Sequence, residues 1–214
     1  MANFFNPAFD APNVVEVDLD PTVLAEFCTF LQTSFNPLDF SNISPPWNSD
    51  IRWISPSNRQ SFDFFEARFQ RFGLAELVRP WLDLESRVIM YSGFIVMRSV
   101  CEQADLHVDW CKTNNQAFTC LTPLTDHSPD FGLIYQRKDG STATYTYRPG
   151  KALVFGEHFL HSTRPGQSDQ PVVLLSFTFG TDKMHYWEAI AETAAAQGTL
   201  VRRPDGSFQE TIPQ

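Results

Sequence analysis

The pattern of apolar residues changes period at Val88, and that change limits the fold more than any other feature of the chain. Upstream, apolar side chains recur at helical spacing. Downstream come RVIMYSGFIVMRSV, LHVDW, AFTCLTPL, FGLIYQR, TATYTYR, KALVFGE and VVLLSFTFG. These are short, β-branched and aromatic runs broken by turns such as Lys138-Asp139-Gly140 and Arg148-Pro149-Gly150. About eight strands at this spacing predict a jelly-roll, cupin-like barrel. A parallel sheet would need long crossovers between strands, and there is no room for them.

The rest of the chain frames that barrel. Val14–Val17 reads as a strand. Asp20-Pro21 reads as a helix start, with aspartate as N-cap and proline in the first turn. Leu24, Phe27, Cys28 and Leu31 form its apolar stripe. Residues 36–58, rich in Pro, Asn and Ser around Phe40, Trp47 and Trp53, read as a long surface segment that covers substrate. Phe62, Phe65, Phe69 and Phe72 give a second helical stretch, from Ser61 to Leu84, a core-facing stripe that Gly73 and Pro80 interrupt. Thr181–Gln197 reads as a C-terminal helix, and TLVRR-PDG-SFQET as a hairpin. The fold class is therefore mainly β with flanking helices. We expect one domain: residues 1–87 a helical and loop region, 88–180 the jelly-roll core, and 181–214 a helix and hairpin.

Composition narrows the function. A net charge of −9 argues against a nucleic-acid partner. The 20 phenylalanines, against 5 Tyr and 5 Trp, read first as core and second as a phenyl-lined pocket. Cys28, Cys101, Cys111 and Cys120 make no zinc or disulfide pattern and read as reduced thiols. With no signal-peptide pattern and no membrane-length apolar run, the expected location is cytoplasmic, with no membrane partner.

His107-Val108-Asp109 carries the chemistry. On a strand, His107 and Asp109 point one way and Leu106, Val108 and Trp110 the other. An imidazole and a carboxylate then face one point. His161, behind the strand KALVFGE, can complete a set of two histidines and one carboxylate. That set leaves positions open on an octahedral ferrous ion.

LHVDW together with RPGKALVFGEHFLHSTRPG resembles the double-stranded β-helix core of the Fe(II)/2-oxoglutarate-dependent oxygenases over residues 88–180, most closely phytanoyl-CoA-hydroxylase-like or prolyl- and aspartyl-hydroxylase-like members. The resemblance implies that His107, Asp109 and His161 hold Fe(II), with His158 a competitor for the third place. It implies 2-oxoglutarate and O2 as cosubstrates and no catalytic residue beyond the metal ligands. The reaction it implies is hydroxylation or desaturation of a C–H bond with release of succinate and CO2. An aspartate at 109, where halogenases of the family carry a small residue, argues against halogenation.

The chain departs from the family in DQPVVLLSFTFG, which lacks the basic residue that normally pairs with the distal carboxylate of 2-oxoglutarate. Arg98, Arg164 and Lys112 are the substitutes. Thr119, Tyr135, Ser176 and Thr178 are possible hydroxyl contacts, and Cys111 shares the parity of the ligands. Trp110 reads as core, and Asn114, Asn115 and Gln116 as a turn or pocket mouth. The expected partner is a small-molecule or amino-acid-like substrate; the oligomeric state is unknown from the sequence. The alternatives are a cupin-like metal-dependent dioxygenase or other metalloenzyme that does not use 2-oxoglutarate, and a non-catalytic binding module on the same barrel.

Overall fold

The computed structural model describes residues 5–45, 50–125 and 132–211. A short ladder of β1 (Phe5–Asn6) and β2 (Ala11–Pro12) leads into β3 (Val14–Asp18) and helix α1 (Pro21–Thr33). Asp20 caps α1 by accepting from Thr22 N. Next come β4 (Phe40–Ile43), β5 (Arg52–Pro56), α2 (Arg59–Arg71) and α3 (Leu74–Val78). Asn58 and Ser61 form a reciprocal capping box at α2, and Gly73, at φ 70°, separates the two helices. The β-rich part runs β6 (Ile89–Cys101), β7 (Ala117–Pro123), β8 (Leu133–Gln136), β9 (Thr142–Tyr145), β10 (Lys151–Phe155), β11 (His161–Thr163) and β12 (Gly166–Gly180). Helix α4 (Trp187–Gln197) and the hairpin of β13 (Leu200–Arg202) and β14 (Phe208–Glu210) close the described chain.

Two antiparallel sheets build the barrel. The larger has the order β3-β10-β7-β12-β6-β5-β4, and the smaller β11-β8-β9. Alternation along each strand gives the large sheet two different faces. On one, Ile95, Cys120, Val154, Leu175 and Phe177 pack beneath α1 and α2, against Phe27, Phe62, Phe65 and Phe69. This is where much of the phenylalanine goes. Phe65 lies directly over Gly93, where a Cβ would stand 2.6 Å from its ring, so the strand needs glycine there. On the other face Val96, Arg98, Leu121, Leu174 and Ser176 look into a cavity that the small sheet helps to close.

Three expectations are corrected. Residues 36–58 are not an open surface loop: β4 and β5 pair with each other, and β5 pairs with β6, extending the large sheet. Asn36 and Pro37 start a short helical turn, Pro56 ends β5, and Asn58 caps α2. Trp53 is buried on β5; Trp47 lies outside the described residues. LHVDW is not a strand, because only His107 pairs across, in an isolated bridge to His161. Positive φ at Lys112, Asn114 and Asn115 turns the chain before a ladder can extend. The C-terminal α-helix begins at Trp187 rather than Thr181, because the residues ahead of it are bonded elsewhere: Thr181 O accepts from Tyr91 Oη at 2.8 Å.

Asp182 is part of the same anchor. Its carboxylate accepts from Glu85 N, Ser86 N, Ser86 Oγ and Arg87 N at 2.6–2.8 Å, tying the segment before β6 to the end of β12. Burial alone would raise its pKa, but the bonds from Arg87, Glu85 and Ser86 together hold it down at about 2. A folded-state pKa depressed below the unfolded value stabilises the fold above about pH 4, and that stability drains away as pH falls toward 2. Asp182→Asn should therefore remove on the order of 2 kcal/mol at neutral pH and much less at about pH 2. Urea unfolding at the two pH values checks this; an equal loss at both would contradict it.

Candidate metal centre

His107 and Asp109 stand on the segment between β6 and β7, and His161 opens β11. Two backbone hydrogen bonds, His107 N to His161 O and His161 N to His107 O, both 2.9 Å, set the histidines opposite each other. Opposed residues of an antiparallel pair share a face, and here the ring centroids are 4.9 Å apart. Asp109 reaches the same point, with Oδ1 3.6 Å from Nε2 of each histidine. One ligand atom from each of the three lies within 4.8 Å of the others. His158 is absent from this group: it is exposed, at φ 73° in the turn before β11.

The surrounding hydrogen bonds decide what each atom can offer. His107 Nδ1 lies 2.7 Å from Asp105 O, and His161 Nδ1 lies 3.0 Å from Phe159 O. A carbonyl oxygen only accepts, so each Nδ1 donates to it, and in the neutral tautomer that this selects Nε2 carries the lone pair on the side of Asp109. Thr119 Oγ1 donates to Asp109 Oδ2 at 2.8 Å and accepts from Trp110 Nε1 at 3.0 Å, which turns Oδ1 toward the imidazoles. Thr193 Oγ1, on α4, donates to the Asp109 carbonyl. The His161 ring is wedged between Phe155 and Phe159, with centroids at 4.6 and 5.2 Å. Burial pushes the His161 imidazole below its ordinary pKa; Asp109 opposes that shift and His107 adds to it.

Three potential electron-pair donors thus converge on one point. Such a cluster is self-repelling until a cation enters. Two imidazole nitrogens and one carboxylate oxygen, each steered by an outer hydrogen bond, suit an open-sited divalent transition metal. The residues therefore fit a ferrous ion.

The triad forms part of the wall of a cavity of about 420 Å³. Of the three candidate cations, Arg98 lines it and Lys112 and Arg164 do not. Lys112 is exposed on a left-handed turn, and Arg164 N donates to Gly132 O beyond the end of β11. Arg98 Nε donates to Val100 O at 2.7 Å and lies 3.4 Å from Asp50 Oδ2, so its inner edge is already engaged. Thr119 and Ser176 line the cavity; Tyr135, Thr178 and Cys111 do not. Thr178 instead bonds Ser92 at 2.7 Å. Trp110 is fully buried, as core, while Asn114–Gln116 form a turn outside the cavity.

Sequence reasoning missed Tyr147, Asp105 and Gln197, all cavity residues. The alternation in TATYTYR was a usable signal for Tyr147. Burial first, and then Tyr145 and Asp109 nearby, push its phenol well above the ordinary value, so it stays neutral. Gln197 had no local signal, since it reaches the cavity only through the docking of α4 beside Tyr91 and Trp110.

No protein-family model matches the chain. No curated protein matches it in sequence. Solved structures do match in shape. SnoN from nogalamycin biosynthesis, a non-heme alpha ketoglutarate dependent epimerase, is 13% identical with a TM-score of 0.58, over 79% of each chain. HygX from Streptomyces hygroscopicus, with nickel and 2-oxoglutarate bound, is 14% identical with a TM-score of 0.57, over 81% of this chain and 85% of its own. EctD from S. alaskensis, in its apoform, is 13% identical with a TM-score of 0.60, over 82% of this chain and 75% of its own. The chain therefore has the jelly-roll fold on which SnoN, HygX and EctD are built.

Proposed function

We propose that this protein is an Fe(II)- and 2-oxoglutarate-dependent dioxygenase that hydroxylates or desaturates a C–H bond of a small molecule, releasing succinate and CO2. The observation that carries this reading is the convergence of His107 Nε2, His161 Nε2 and Asp109 Oδ1 on the wall of an accessible cavity. The fold shared with HygX, solved with nickel and 2-oxoglutarate bound, supports it. When bound, the iron with 2-oxoglutarate supplies the oxidising power, taken from O2 as the 2-oxoglutarate is decarboxylated.

The chain's own residues hold and orient. His107, Asp109 and His161 would hold the metal at the cavity wall. Thr119 and Trp110 keep Asp109 turned so that Oδ1 serves the metal. Arg98 takes the distal carboxylate of 2-oxoglutarate. Its side chain is only 11% exposed, and Val100 O and Asp50 engage its Nε edge. The terminal edge of the guanidinium is left for a bidentate carboxylate, the geometry arginine serves best. It stands opposite Val172 in the β6–β12 ladder, next to the strand where the family places its cation.

One observation favours a metalloenzyme that does not use 2-oxoglutarate: the cavity-facing residues of β12 include Leu174 and Ser176 but no cation. Anaerobic titration of the Fe(II)-loaded protein with 2-oxoglutarate separates the two readings. Bidentate chelation yields a new visible charge-transfer band, and admitting O2 with substrate yields succinate. Arg98→Ala should weaken 2-oxoglutarate binding by roughly tenfold to a hundredfold, the worth of one or two charge-assisted hydrogen bonds. A saturable band that is unchanged in Arg98→Ala would move the anchor elsewhere. Absence of any band from the wild type, with iron bound, would favour the second reading.

A further inference from the structure

The charges and unsatisfied polar atoms of the cavity define what else it takes. Apart from the two imidazoles, Arg98 is the one cationic side chain among its described lining residues. On the reading above, 2-oxoglutarate uses that cation, so a second acid entering the cavity would meet none. Among the groups that remain, Asp105 is a carboxylate, and Gln197 and Ser176 carry polar atoms with no partner. Asp105 lines the cavity, is exposed to it, and its carboxylate pairs with no cation among the described residues. Gln197 ends α4, lines the cavity, and its Oε1 is buried with no hydrogen-bond partner. Ser176, 0% exposed, also turns a partnerless hydroxyl toward it. A buried acceptor left unpaired is destabilising, and native structures rarely tolerate one unless a ligand or water completes it. Gln197 is also held in place, because α4 is docked through Trp187, Ile190 and Ala194 and bonded to Asp109 through Thr193. Trp53 and Phe94 supply an aromatic wall in the same cavity.

We infer that the primary substrate is an amine-bearing, hydrogen-bond-donating small molecule with an apolar body, and not an acid. Asp105 takes its ammonium, Gln197 accepts from a hydroxyl or N–H, and Trp53 with Phe94 faces the apolar body. This rests on the preceding reading only in assigning Arg98 to 2-oxoglutarate.

The test uses binding, not turnover. The full chain is loaded with Zn(II) and 2-oxoglutarate, and two probes of matched shape are titrated by ligand-observed NMR: trans-4-aminocyclohexanol and trans-4-hydroxycyclohexanecarboxylate. The amine should bind at least about fivefold more tightly than the acid. Asp105→Asn and Gln197→Leu, each confirmed folded by circular dichroism, should weaken the amine by roughly threefold to tenfold. Equal or tighter binding of the acid, no binding of the amine, or an amine affinity unchanged in both variants would overturn the proposal. Titration of 2-oxoglutarate into the Zn(II) protein is run separately. Its failure would count against the dioxygenase reading and withdraw Arg98's assignment to 2-oxoglutarate; the probes would then be compared on the Zn(II) protein, where tighter binding of the amine that is lost in Asp105→Asn and Gln197→Leu would still support the inference and preference for the acid would overturn it.

Discussion

Asp109→Ala should abolish tight Fe(II) binding while leaving the fold intact. The carboxylate is the only anionic member of the triad, and its Oδ1 stands 3.6 Å from both imidazoles. Without it, two neutral nitrogens face a divalent cation with no charge to neutralise it. The loss should exceed the roughly 10–100-fold that removal of an outer hydrogen-bond partner costs a metal site. Thr119→Val, which removes only the bond to Oδ2, should fall within that smaller range. Asp109→Asn, nearly isosteric, separates charge from shape: it should keep the Thr119 contact and still lose the metal. Anaerobic metal titration, with far-UV circular dichroism as the check on folding, measures all three. Stoichiometric iron binding of undiminished affinity in Asp109→Ala would remove the triad assignment, and the proposed function with it.

Phe65→Ala should be among the most destabilising single substitutions, at about 3–5 kcal/mol. The side chain is fully buried, and its ring lies 5.3 Å from that of Phe27 and 6.2 Å from that of Phe177, at the junction of α1, α2 and the large sheet. The strand beneath it has only Gly93, so no side chain there can relax into the void. At roughly 2–4 °C per kcal/mol for a chain of this size, Tm should fall by about 6–20 °C. Gly93→Ala should also destabilise, because its new Cβ would strike the Phe65 ring. In the Phe65→Ala background the same methyl group should be tolerated, so the two effects should not add. A Tm shift of less than about 2 °C for Phe65→Ala would mean that this ring is not part of the packed core.

Much of the architecture was legible because it is written in short-range periodicity. Phe62, Phe65 and Phe69 fall at helical spacing and are all fully buried. The apolar runs after Val88 became β6 to β10 and β12, although β12 starts at Gly166, well ahead of the run at Val172 that marked it. The spacing of His107 and Asp109 brought both to one point even though the strand expected to carry them did not form, because one bridged residue suffices to orient the pair. The segment 36–58 was misread because a hairpin at a sheet edge needs few apolar residues and resembles a loop in composition.

The sequence by itself thus determined the two classes of element, the apolar stripe under the large sheet and the identity of the three convergent ligands. The elements, the stripe and the His107–Asp109 pair depend on residues a few positions apart, and the backbone's own geometry turns such spacing into a shared face, whereas His161, far along the chain, was picked out by the family resemblance. Only the tertiary structure decided which cation reaches the cavity. Arg98 does so because β6 pairs with β5 and β12, while Lys112 and Arg164, closer in sequence to the ligands, are carried away by a left-handed turn and a strand end. It also decided that Thr119 and Trp110 steer Asp109 and that α4 brings Gln197 to the wall. Those contacts join segments that are distant in sequence or turned by the local backbone. Their partners are set by sheet pairing and core packing, which no local pattern of residue types encodes.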